Sequence, residues 1–134
     1  MNLATIGKIN LTLSALGAAV YLATTGRSGL RQVARLCYDK AHYAAARIGD
    51  LPGLKINPQA PERPFFKEFV VRLPKPVAPV NRVLLEDFGI IGGYDLGVDY
   101  PQLGDNTMLL CATEMVNRTQ MDRLVEKLPK ENLL

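Results

Sequence analysis

The spacing of apolar and polar positions changes several times along the chain, and each change marks an element. Leu11, Ala15, Leu16, Ala18, Ala19, Leu22 and Ala23 predict a helix whose broad apolar surface is built largely of small residues. The apolar stretch Leu11 to Ala23 is broken by Thr12, Ser14 and Gly17, is too short to span a bilayer and reads as a core helix, with Gly26 fitting its C-cap. Ser28 suits the N-cap of a second helix, in which Leu30, Val33, Ala34, Cys37, Ala41, Ala44, Ala45 and Ile48 share one face. Arg31, Arg35, Asp39, His42 and Ala46 fall on the opposite side. Residues 51–64 hold four of the nine prolines and form a connector. Phe65, Phe69, Val71 and Leu73 then alternate with Phe66, Glu68, Val70 and Arg72, a period-two strand that Pro74 and Pro76 end. Val77 to Phe88 reads as a helix with Val80, Val83, Leu84 and Phe88 inward and Gly89 at C′. A glycine-rich loop follows. Thr107 to Thr113 is a continuous apolar run, as expected of a strand covered on both faces. Thr119 and Asp122 resemble a capping box opening a last helix, with Met121, Leu124, Val125 and Leu128 inward and Pro129 at its end.

The order α-α-β-α-loop-β-α predicts an α+β two-layer domain, a small sheet with helices packed on it. Residues 1–50 form a helical lead-in, 51–64 the connector and 65–134 a β-α-loop-β-α unit. With 48% hydrophobic and 22% charged residues, the chain can bury a core and is not disordered by composition. The net charge of +3 divides into +5 over residues 1–64 (eight Lys/Arg, three Asp/Glu) and −2 over 65–134 (eight and ten). A nucleic-acid partner would want a concentrated basic stripe, which this mild split does not supply. The first apolar stretch lacks a basic start followed by a signal-peptide cleavage site, so a cytoplasmic chain with no membrane partner is expected.

Candidate chemistry is sparse. Cys37 and Cys111 each sit in an apolar pattern and read as two buried free thiols, without the paired spacing of a zinc site. His42, the only histidine, falls on a polar helix side and reads as solvent-exposed; Cys37 lies five residues away, on a different face. The loop from Gly89 to Pro101 carries four of the eleven glycines, two tyrosines and two aspartates in thirteen residues. Its glycines match neither G-x-G-x-x-G nor a Walker motif. It serves either as a tight reversal between helix and strand or as a backbone-lined contact with a cofactor, substrate or partner chain. Two adjacent glycines would permit positive φ, so larger residues there would strain the turn. Asp95 and Asp99 lack a third acid for a metal and suit loop solvation or capping. Asn117-Arg118-Thr119 fits a glycosylation sequon and, more simply, a helix start. From the residues alone, a freestanding α/β binding or regulatory module and a ligand-free structural assembly domain both stay open.

Several segments together carry a resemblance: Ala18 to Thr24 with Gly26 and Gly29-Leu30, Lys40-Ala41-His42-Tyr43, Phe65 to Pro74, Gly89 to Gly97 with Asp99-Tyr100-Pro101, and Thr113-Glu114. From about Leu13 to Leu128 the chain resembles the carboxyl-terminal part of the glycine dehydrogenase (decarboxylating) subunit 1 family, the first half of the two-chain P-protein of the glycine cleavage system. The resemblance implies the small domain of an aspartate-aminotransferase-type (fold type I) pyridoxal-phosphate enzyme, with the large cofactor domain absent and the chain a fragment. It implies a part in decarboxylating glycine and passing the aminomethyl group to the lipoyl arm of H-protein, with glycine dehydrogenase subunit 2 as partner. It also implies that Leu54-Lys55-Ile56-Asn57 pairs briefly at a sheet edge. No catalytic, cofactor-binding or metal residue is expected here. Of seven lysines none has a cofactor-lysine context, and in the family the pyridoxal phosphate is held by the partner subunit. Thr107 to Thr113 lacks the substrate-carboxylate arginine that related aminotransferases place near that strand, and Ala4 to Ile9 departs from the family's Ala-Thr-Ser-Asn-Ile-Cys-Thr. Gly92, Gly93, Tyr94 and Asp95 are expected to form an interface or lie near the active site. Alone, the fragment is expected to be inactive and able to self-associate.

Overall fold

The computed structural model describes residues 3–129, with side chains from residue 11 onward. The chain divides into two compact units, Met1–Arg35 and Leu36–Leu134, and helix α1 (Leu3–Gly49) contributes residues to both. The divergent Ala4 to Ile9 segment is helical, and its side chains, like Lys130, lie outside what is described.

From Leu3 to Arg35 the first unit is helix except at Gly26, whose φ of 64° and ψ of 178° lie in a region open essentially to glycine alone. The break falls where the cap was expected. Just before it, the Thr24 hydroxyl donates to the carbonyls of Val20 (2.8 Å) and Tyr21 (3.1 Å). Leu11, at 73%, Leu13, Leu16, Val20 and Leu22 are all exposed. The expectation of a core helix is thereby corrected: the described residues of this unit are helix alone and offer no second layer against which to bury this face.

The second unit is a four-stranded antiparallel sheet with helices on one face. Its strands are β1 (Lys55–Ile56), β2 (Glu68–Arg72), β3 (Tyr94–Asp95) and β4 (Thr107–Cys111), in the order β1-β2-β4-β3. Register sets Phe69 opposite Leu110 and Val71 opposite Met108, so the period-two apolar set of β2 meets that of β4 on one side. One buried cluster joins these residues to Ala41, Ala44, Ala45 and Ile48 of α1, Val77, Val80 and Leu84 of α2 (Val77–Phe88), and Met121 and Val125 of α3 (Arg118–Lys127). Each large apolar side chain buried this way contributes about 1.5–3 kcal/mol. The result is the α+β architecture expected, and it fixes the ends of α2, β4 and α3 around the glycine loop.

Details differ from the sequence reading for physical reasons. The expected edge pairing occurs, as Lys55 with Arg72 and Ile56 with Val71. Strand β2 begins only at Glu68, while Phe65 packs its ring against the cluster from the segment between connector and strand. In α2 Val77 is buried, whereas Val83 is exposed. Strand β4 is not covered on both faces, because Leu109 is half-buried and Cys111 exposed. The capping box of α3 is formed by Asn117 and Gln120, each side chain accepting the other's backbone N–H at 2.9 Å, so Thr119 lies inside the helix rather than at its start.

Candidate functional site

The glycine loop is an ordered bridge from α2 to the sheet. Helix α2 ends in a left-handed cap at Gly89 (φ 62°, ψ 30°), and the N–H of Ile90 reaches back to the carbonyl of Leu84 at 2.8 Å. The chain then runs past β4, where Tyr94 pairs with Leu109 and Asp95 with Met108. Gly92 and Gly93 do not take positive φ, which corrects the reason expected for them. They are required by close approach instead. A Cβ on Gly93 would sit 2.7 Å from the main-chain oxygen of Leu109 and 2.9 Å from Sδ of Met108, and one on Gly92 would overlap the Asn81 amide. Asn81 also holds the loop down, donating from Nδ2 to the carbonyl of Gly93 at 2.7 Å.

The loop's polar side chains brace one another. Asp95 accepts the N–H of Gly97 at 2.9 Å, an Asx turn, and the Tyr94 hydroxyl donates to Asp99 at 2.6 Å. Capping and loop bracing are thus the roles of both aspartates, and among the described residues no acidic, histidine or cysteine group could hold a metal ion. The hydrogen bond to Asp99, and then its negative charge, raises the Tyr94 phenol above the ordinary tyrosine value. A raised folded value means the interaction is fully present at neutral pH and is lost as pH rises through the phenol's own titration. Asp99→Asn should move Tyr94 down toward ordinary tyrosine, measured as a tyrosinate absorbance titration referenced to Tyr94→Phe. An unmoved titration would mean the hydrogen bond does not form in solution.

Beside the loop lies a cleft of about 650 Å³ bounded by Ile90–Gly92, β4 and α3. Its lining is largely apolar, and Arg123, which donates from Nη2 to the carbonyl of Phe88 at 2.7 Å, is the one charged side chain in it among the described residues. Ile91 and Met115 stand at its edges, 89% and 81% exposed.

Away from the loop, the end of α1 is tied to α3 and to the segment before it. Cys37 donates its thiol to Glu114 at 3.2 Å, and Lys40 donates to the main-chain oxygen of Glu114. The Cys37 hydrogen bond, followed by one from its own backbone, holds the Glu114 carboxyl below the usual range. The Tyr43 hydroxyl donates to Asp122 at 2.6 Å and accepts from Arg118 at 3.1 Å. Sequence reasoning had no signal for these partners, which lie more than 70 residues apart. His42 is not solvent-exposed as expected: it is half-buried and stacked between Tyr38 (3.8 Å between ring centres) and Phe65 (4.1 Å). Cys37 is buried as expected, while Cys111 is exposed beside Glu68.

The described lining of the cleft does not fit pyridoxal phosphate. No lysine lines the cleft, the Lys40 amine is held by Glu114, and that of Lys127 lies 4.8 Å over the Phe88 ring.

No family model matches the chain. It is 54% identical over 119 residues to the "Probable glycine dehydrogenase (decarboxylating) subunit 1" of Thermomicrobium roseum, a match covering 89% of this chain and 25% of that protein. The protein so described from Geobacillus kaustophilus is 46% identical over 119 residues, with the same coverage of each. Among solved structures, the chain superposes with a TM-score of 0.74 and 36% identity on glycine decarboxylase (P-protein) of the glycine cleavage system in inhibitor-bound form, covering 86% of this chain and 25% of that one. The chain thus spans about a quarter of the length of the curated relatives it matches. Along nearly all of its own length, this chain is related in sequence and fold to one quarter of the glycine dehydrogenase (decarboxylating) subunit 1 proteins.

Proposed function

We propose that this chain supplies the small, carboxyl-terminal domain of subunit 1 of a two-chain, cytoplasmic glycine decarboxylase, a domain of fold type I. The observation that carries this reading is the 54% identity across 89% of the chain, far beyond what one shared motif would give. In the whole enzyme, pyridoxal phosphate held by subunit 2 supplies the decarboxylation chemistry, and lipoylated H-protein accepts the aminomethyl group. This chain contributes surfaces. Gly92, Gly93, Tyr94 and Asp95 form the loop assigned to the junction with the large domain or with subunit 2. Two observations support that assignment: the loop is braced from both sides, and beyond the cleft it presents Val98 and the rings of Tyr94 and Tyr100 outward. The exposed apolar face of α1 between Leu11 and Leu22 is a second surface suited to the rest of the enzyme.

The rival reading, a freestanding binding module, predicts that the chain takes a ligand by itself. Pyridoxal phosphate added to the chain alone and reduced with borohydride should leave no single stoichiometric adduct by mass spectrometry, whereas subunit 2 treated in the same way should carry one. A unique adduct on one lysine of this chain would overturn the proposed division of labour.

A further inference from the structure

The main-chain hydrogen bonds of β4 alternate between its two neighbours. Ala112 N–H bonds the carbonyl of Lys67 on the β2 side (3.0 Å), while Thr107 accepts from Leu96 N–H on the β3 side (3.0 Å). In an antiparallel ladder the N–H and C=O of one residue point the same way and successive residues alternate. Cys111 therefore turns both groups away from β2, toward the β3 side. Strand β3 begins only at Tyr94, opposite Leu109; the same register would put Gly92 opposite Cys111, but Gly92 is outside the strand. Among the described residues no hydrogen bond reaches the main chain of Cys111 on that side. The 650 Å³ cleft opens at this point, with Leu109 and Leu124 in its lining and Ile91 and Met115 on its edges.

We infer that this cleft docks an extended peptide, which adds to β4 in line with β3 and carries apolar side chains and one carboxylate. An unpaired N–H and C=O on a sheet edge are matched by the main chain of another strand. A helix has such groups free only at its ends, so an amphipathic helix lying along the cleft would leave the edge unsatisfied. The apolar lining calls for apolar side chains at alternate positions. Arg123 supplies the charge complement. Among the described residues its guanidinium makes one hydrogen bond, to the Phe88 carbonyl, and has no carboxylate partner.

The test is a titration of the isotope-labelled chain with the synthetic peptide acetyl-Val-Thr-Val-Thr-Val-Glu-amide, followed by amide NMR. Saturable shifts should concentrate at Ile91, Leu109, Cys111 and Leu124, and exchange of the Cys111 amide should slow by about tenfold or more. A peptide with alternate backbone nitrogens methylated should not bind. Replacing its glutamate by lysine should weaken binding about fivefold, and Arg123→Glu should reverse that preference. Should Arg123→Glu not fold, the glutamate-to-lysine comparison on the unaltered chain decides the charge claim alone. No saturable shift up to about 1 mM peptide, an equal response to the methylated peptide, or shifts elsewhere on the sheet would each overturn the inference.

Discussion

Gly93→Val is expected to destabilise the chain by about 3–4 kcal/mol, a large share of the roughly 5–15 kcal/mol that holds a domain together. The glycine sits against β4, where an added Cβ meets the Leu109 carbonyl oxygen at 2.7 Å, Met108 Sδ at 2.9 Å and Leu110 Cδ2 at 3.0 Å. A side-chain atom can swing aside, but the Leu109 oxygen belongs to a ladder that pairs with Tyr94. Making room for valine means pulling β3 off β4 and stretching the Asn81 bond to the Gly93 carbonyl, worth about 0.5–1.5 kcal/mol by itself. Gly93→Ala should lie between, near 2 kcal/mol, because it brings the same Cβ without the branch. Urea unfolding followed by circular dichroism measures both. An unchanged midpoint for Gly93→Val would show that the loop does not lie against β4 in solution.

Phe69→Ala should cost about 3–5 kcal/mol. Phe69 is 2% exposed, faces Leu110 across the centre of the sheet and tilts against Phe65 with 5.5 Å between ring centres. Its removal leaves a void next to the cleft, which it also lines, and the sheet cannot collapse to fill it without losing register. Phe66→Ala is the matched control. That ring is 50% exposed just before the same strand, and its loss should stay within roughly 1 kcal/mol. In thermal unfolding the first variant should fall by more than roughly 10 °C and the second by a few degrees. Equal losses would mean that Phe69 is not the buried ring and Phe66 the exposed one in solution.

What could be read from the sequence was local. Helix α2 has the bounds its pattern implied because apolar spacing, Pro76 before it and Gly89 after it all act within a few residues. The same holds for the inward set Phe69, Val71 and Leu73, and for the break at Gly26. Strand β3 was not legible: two residues flanked by glycines carry no period, and only pairing with β4 makes them a strand. The first helix showed how much apolar surface it has, but spacing says nothing about what covers it. The side of the helix on which His42 falls could not reveal Phe65 arriving from just before β2 to stack on it. At the loop, the turn-forming roles of Asp95 and Asp99 followed from residue type and short range. The glycines were legible as a requirement but not as a cause, since close approach to Leu109 and Asn81 is a tertiary fact. The cleft, and the pairing of Cys37 with Glu114, depend on segments that only folding brings together.

The central claim, that this chain is the working equivalent of one quarter of subunit 1, is tested most directly by exchange. The segment of the Thermomicrobium roseum protein that it matches over 119 residues is replaced by this chain. The hybrid is assembled with subunit 2, H-protein and pyridoxal phosphate, and carbon dioxide release from glycine is measured. The account predicts an assembled hybrid retaining activity within about tenfold of the parent, and a marked fall when Tyr94→Ala is introduced into the exchanged segment. A hybrid that folds and binds subunit 2 but releases no carbon dioxide from glycine would contradict it.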